Sequence, residues 1–152
     1  SFAAMAILER GGKQVPISNL AEATANLMTF CLALQVHGAE QGHIVGFQSH
    51  PNQWAVFGSI LGTSEAATVI NLHPGEGAQL FVAAGDEQAE DIDLFLTDEE
   101  GTYVLASDTG GDSTPLMPQW TSSNRGYGIR AKMIRSTGDR PVMVLTAMLT
   151  VQ

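Results

Sequence analysis

The sequence predicts a mainly β fold, an antiparallel β-sandwich or jelly roll, with one N-terminal helix packed on it or on a partner. Three observations carry that expectation. Seven or eight runs of strand character follow one another from residue 53 onward, broken by turn-forming residues about every ten positions. Only Asn19–His37 shows sustained helical spacing, so strands do not alternate with helices as a parallel βαβ sheet requires. Charged residues make up only 15% of the 152, with Gly, Ala, Ser and Thr in their place, which suits turn-rich β-structure better than a charged bundle.

The elements follow in chain order. Met5–Glu9 and Gln14–Ser18 flank Arg10-Gly11-Gly12-Lys13 and read as a short hairpin, with Pro16 confined to an edge. The helix is expected over Asn19–His37, with Asn19 as its cap, Glu22 completing a capping box and Gly38 stopping it. Leu20, Ala23, Leu27, Phe30, Cys31 and Leu34 recur at helical spacing, and Met28 and Leu32 widen that apolar face. Glu22, Asn26, Thr29 and Ala33 form the more polar stripe. A helix so nearly apolar needs cover on most sides, from the sandwich or from another subunit.

Strands are expected at His43–Gln48, Gln53–Leu61, Ala67–Leu72 and Ala78–Ala83. Asp91–Thr97 alternates strictly, with Ile92, Leu94 and Leu96 on one face and Asp93, Phe95 and Thr97 on the other. The turn Asp98–Gly101 then leads into Thr102–Ser107, so this pair reads as a hairpin. Leu116–Thr121, Gly126–Ile134 and Pro141–Val151 supply the remaining strands. The domain reading is a hairpin-and-helix extension over residues 1–52 and a sandwich over residues 53–152.

Charge narrows the partners. A formal net charge of −9 argues against nucleic acid, whose phosphates need clustered Lys and Arg, and against anionic membrane. The apolar run Leu27–Val36 is too short to span a bilayer, which takes about 20 residues, so no transmembrane segment is expected. It also lacks the flanking charge of a signal peptide. The single cysteine, Cys31, excludes an internal disulfide.

The stretch Gly85–Ala131 carries an ordered series of motifs. Gly85-Asp86 is followed by an acidic loop, Asp91-Ile92-Asp93-Leu94-Phe95-Leu96, a polar turn ending in Gly101, and Ala106-Ser107-Asp108. Trp120-Thr121 and Gly126-Tyr127-Gly128-Ile129-Arg130-Ala131 complete it. In order and spacing this resembles the bacterial pre-peptidase C-terminal (PPC) β-sandwich family, over roughly residues 53–151, most strongly over 85–133, with the sharpest motifs in 91–131. Leu145-Thr146-Ala147-Met148-Leu149 lacks the tyrosine of the family's last strand, and residues 1–52 match nothing in it. The resemblance implies a non-catalytic module of an exported bacterial protein, extracellular or periplasmic, with calcium binding in some relatives. It makes Trp120 and Tyr127 structural.

Four aspartates form the candidate metal site: Asp91 and Asp93 on one strand, with Asp98 and Asp108 toward the ends of the hairpin. Calcium takes six to eight oxygens, largely from carboxylates and carbonyls, and Asp86, Glu87 and Glu90 crowd the same region. The alternative is that these acids bond turn backbone and bar edge pairing. His37, His43, His50 and His73 lack zinc-ligand spacing, and no nucleophile elbow is present. No enzyme activity and no cofactor other than calcium are therefore expected. The functional expectation is a binding module for a protein, a polysaccharide or a cell surface. Its alternatives are a structural or assembly protein that forms homo-oligomers through helix 19–37, and, further off, a hydrolase.

Overall fold

The computed structural model describes residues 14–48 and 54–152. The first arm of the expected N-terminal hairpin lies outside them. Its second arm is not a strand, because Ile17 already begins the helix, α1 (Ile17–Glu40). Nine strands follow: β1 (Val45–Phe47), β2 (Val56–Leu61), β3 (Ala66–Leu72), β4 (Gly77–Gly85), β5 (Ala89–Asp98), β6 (Val104–Asp108), β7 (Leu116–Thr121), β8 (Tyr127–Ser136) and β9 (Val142–Val151).

They form two antiparallel sheets. The first has β9 and β4 at its centre, β7 at one edge, and β1 and β2 in succession along the other. The ladder passes from β1 to β2 at Met148, whose carbonyl accepts from Gln48 N–H (3.0 Å) and whose N–H donates to Ala55 O (2.9 Å). Residues on both sides of position 52 thus line one edge of the same sheet. The second sheet has the order β3-β8-β5-β6.

The main core lies between the sheets. Ile92, Leu94 and Leu96 of β5 meet Phe81, Val144 and Met148 of the first sheet there, as the alternation in β5 requires. A second apolar layer lies on the other face of the first sheet, where Ala23 and Leu27 of α1 pack on Val82, Ala84, Leu145 and Ala147. This is why Val142–Leu149 is buried at every position: β9 has cover on both faces.

The helix differs from expectation at both ends. Pro16 precedes it with no side-chain cap, and its fixed φ (−57°) suits a helix start. Asn19 is not the cap but a buried side chain on the sheet-facing side. Gly38 does not stop the helix. It lies within it, so close to Val45 that a side chain there would collide with the valine.

Candidate functional site

The first sheet presents an apolar outer face wider than one helix. Cross-strand neighbours form rows: Trp120, Ala78, Val151 and Val45; then Pro118, Leu80, Leu149 and Phe47; then Leu116, Val82, Ala147 and Val56. Four strands at about 4.8 Å spacing make a face some 15–20 Å across, whereas a helix is about 10 Å wide. Apolar strips therefore remain on both flanks of α1.

Polar side chains decide where on that face α1 lies. Asn19 Nδ2 donates to Asp86 Oδ2 (2.9 Å), which also accepts from Met143 N–H (2.9 Å), while Asp86 Oδ1 accepts from Gln88 N–H (2.8 Å). Asn26 Nδ2 donates to Gly85 O (2.9 Å), and Glu87 N–H donates to Glu22 Oε1 (3.1 Å). Glu22 and Asn26 of the more polar stripe thus join Asn19 in tying α1 to the Gly85–Glu87 turn. At the other end, Gly38 lets the helix backbone approach Val45. With the helix so fixed, Leu20, Met28, Leu32 and Val36 turn outward, Met28 being 57% and Leu32 52% exposed.

Between that side of α1 and the β1–β9–β2 edge lies an open groove of about 450 Å³, within the range of small-molecule sites. Leu20, Met28 and Leu32 form one wall and Phe47, Val56 and Leu149 the other, with Leu27 and Cys31 in the lining. Among the described residues Thr24 and Gln35 are its only polar side chains. Burial pushes the Cys31 thiol up to about 11, so it is neutral at ordinary pH and behaves as an apolar lining residue.

The four aspartates differ in what their oxygens bond. Asp98 holds the β5–β6 turn, its Oδ1 accepting from Thr102 N–H (2.6 Å) and Tyr103 N–H (2.9 Å). Asp108, at the other end of that hairpin, accepts from Gly110 N–H (3.0 Å) and Leu116 N–H (2.8 Å). Both serve backbone, the alternative reading of these acids. Asp91 and Asp93 differ. One oxygen of each, Oδ1, is enclosed without a hydrogen-bond partner, although the Asp93 side chain as a whole is half-buried. Burial and then the Asp91 charge raise the Asp93 carboxyl above its ordinary range, with Lys132 opposing and Asp108 adding. Among the described residues no three His, Cys, Asp or Glu side chains converge to hold a metal ion.

The aromatics divide. Tyr127 is buried, its hydroxyl accepting from Ser122 N–H (2.8 Å). Trp120, expected in core or inter-strand packing, is 71% exposed on the outer face of the first sheet, opposite Ala78 of β4. The groove itself escaped the sequence. Met28 and Leu32 were read as widening a buried face, and nothing local marks them as the residues a neighbour would miss.

The molecule is thus a β-sandwich with an external helix and an open apolar groove beside it. Its sandwich resembles the PPC β-sandwich, and the solved structures to which it is similar include a PPC domain. The PPC domain of a collagenase from Bacillus anthracis is 10% identical, over 72% of this chain and 87% of that one, with a TM-score of 0.32. A periplasmic inhibitor of g-type lysozyme from Aeromonas hydrophila is 8% identical over 72% and 82%, with a TM-score of 0.33. The C-terminal carbohydrate-binding module of a marine laminarinase from Zobellia galactanivorans is 10% identical over 72% and 98%, with a TM-score of 0.36. No protein-family model matches the chain, and no curated protein matches it in sequence. At such identities and scores none of these proteins lends its ligand to this chain. Among the described residues no helix is long and apolar enough to cross a membrane.

Proposed function

We propose that this chain is a non-catalytic binding module of an exported bacterial protein, and that its site is the groove between α1 and the β1–β9–β2 edge. The observation that carries the reading is the groove itself: a solvent-open cavity of about 450 Å³ with two polar side chains among its described lining residues. Contiguous exposed apolar surface of this kind marks interaction sites. The ligand is an apolar protein segment rather than a polysaccharide, because Thr24 and Gln35 offer too few hydrogen bonds for a sugar's hydroxyls. The shape supports the mode in which an apolar stretch lies in a hydrophobic groove. A catalytic role has little support from the acids, since Asp98 and Asp108 serve backbone, or from Cys31, whose thiol stays neutral. Export is carried over from the resemblance within Asp91–Ala131.

Titration with Nile red, a neutral apolar dye, tests the site. Met28→Asp with Leu32→Asp places two charges in the groove at exposed positions, where substitutions change stability by about 0.5 kcal/mol or less each. Dye affinity is expected to fall at least about tenfold, with the unfolding midpoint nearly unchanged. Undiminished dye binding in the double variant would overturn the reading. The same exposed stripe (Met28, Leu32, Val36) supports a second reading, assembly of copies through α1, for which a concentration-dependent mass in solution is the test.

Calcium is proposed only at Asp91 and Asp93. The support is their two enclosed oxygens without donors, which a cation would satisfy; water and carbonyls would have to complete its shell. Calcium at about 100 times its dissociation constant stabilises by about 2.7 kcal/mol. A midpoint that stays within a degree on adding millimolar calcium, with magnesium as control, would remove it.

A further inference from the structure

α1 crosses the first sheet obliquely. Near its start Asn19 bonds Asp86, just beyond β4, and near its end Gly38 lies against Val45 of β1. In the row Val45, Val151, Ala78 and Trp120, β7 is three strands away from β1, whereas β4 adjoins β7 directly. The strip between α1 and β7 therefore widens from about 5 Å to about 14 Å. At its narrow end, on the side of α1 away from the groove, lies a second open cavity of about 470 Å³. Its described lining includes Asn26, Thr29, Phe30, Ser113 and Thr114.

The chemistry of this cavity is the reverse of the groove's. The hydroxyls of Thr29, Ser113 and Thr114 bond to no other described residue. Asn26, whose Nδ2 holds Gly85 O, keeps its Oδ1 as an acceptor that no described residue claims. Phe30 supplies an apolar wall. The described lining holds no Lys, Arg or His, and Glu87 adds a negative charge, so an anionic ligand is disfavoured. Toward the wide end, Leu80 and Pro118 lead along the same face to the exposed Trp120. Thr114 to Trp120 is six residues, about 20 Å of extended chain. A ligand that fits must carry many hydroxyls and flat apolar faces, without charge. Sugar rings have both: their hydroxyls exchange hydrogen bonds with Thr, Ser and Asn side chains, and their C–H faces lie against the broad apolar surface of aromatic rings.

We infer that the strip between α1 and β7 binds a neutral oligosaccharide. One ring is held by Asn26, Thr29, Ser113 and Thr114 against Phe30, and a ring further along stacks on Trp120. The site lies on the opposite flank of α1 from the groove and does not depend on it.

Trp54→Phe leaves Trp120 as the single tryptophan. In that background, maltohexaose, cellohexaose and laminarihexaose are titrated separately to millimolar concentration, and at least one is expected to give a saturable blue shift of the Trp120 emission. Calorimetry with that sugar then compares variants. Affinity should fall about tenfold in Thr29→Val with Ser113→Ala, each lost hydrogen bond being worth a factor of about 2–10. It should fall at least as far in Trp120→Ala, which removes an aromatic anchor. All three positions are exposed or half-buried, so the unfolding midpoints should stay near the wild-type value. No response to any of the three sugars would overturn the inference, as would a sugar that wild type and both variants bind equally well. Either failure leaves the groove reading standing, because Nile red reports on the groove in the same samples and its affinity is expected to be unchanged.

Discussion

The outer faces of the two sheets follow opposite rules. On the second sheet, Asp93 lies opposite Lys132, and Arg130 lies opposite both Phe95 and Thr68, donating to Thr68 Oγ1 (3.0 Å) and to Gly101 O (2.8 Å). Charged and hydroxylic side chains meet solvent there, as on an ordinary antiparallel sheet with one wet face. The first sheet places Trp120, Pro118, Leu80, Leu149 and Val56 on the equivalent face and sets a helix over its middle. The contrast teaches that α1 is not an appendage to a finished sandwich. It is the partial cover of a face that cannot be left bare, and the uncovered remainder is where function is to be sought.

The largest effect that probes this contrast is expected between the sheets. Phe81 is fully enclosed there, and Phe81→Ala should cost about 3–5 kcal/mol, read as a lower urea midpoint for the whole domain. Leu27→Ala, in the helix–sheet layer, should cost about 2–4 kcal/mol. If α1 is a separable cover, hydrogen exchange in Leu27→Ala speeds up in Ile17–Glu40 and not in β5 or β8. Equal acceleration in both would make helix and sandwich one cooperative unit. A smaller effect is expected from the polar tie. Asp86→Ala strands Met143 N–H and Asn19 Nδ2, at about 1–3 kcal/mol for buried groups left unpaired. Its acceleration should be confined to α1 and the start of β9. An unaltered exchange pattern would mean that apolar contact alone seats the helix.

The same contrast explains what the sequence made legible. The β5–β6 hairpin could be read because Ile92, Leu94 and Leu96 alternate with Asp93, Phe95 and Thr97, the signature of one dry and one wet face. The helix could be read from its period, but not its orientation. With Leu20, Met28 and Leu32 as apolar as Ala23 and Leu27, no stripe is singled out. The choice is made by Asn19 and Asn26 finding partners 67 and 59 residues away, information that no local pattern holds. The groove was illegible for a related reason. It arises from the mismatch between the width of a four-strand face and that of one helix, which exists only after the strands have paired. Asp98 and Asp108 show the reverse limit: the acidic turns were visible, but which backbone amides would claim their oxygens was not.

The smallest expected effect lies on the polar face. Burial, then the Asp91 charge, hold the Asp93 carboxyl above its ordinary 3.8. A raised acid stabilises the fold in its protonated form. That contribution is complete below pH 3.8 and is lost as pH rises through the raised value. At pH 7 an ionised Asp93 is therefore a small liability, and Asp93→Asn should raise the melting midpoint by about 1–2 °C, discounted for its partial exposure. The gain should vanish below pH 3.8. Calcium offers a sharper division, because a cation at Asp91 and Asp93 would relieve the same repulsion. If calcium lifts the wild-type midpoint and Asp93→Asn removes that lift while keeping its own gain in calcium-free buffer, the pair is a cation site. If the substitution lowers the midpoint at pH 7, the Asp93 carboxylate contributes to the fold in its charged form, and the polar face is no liability at all.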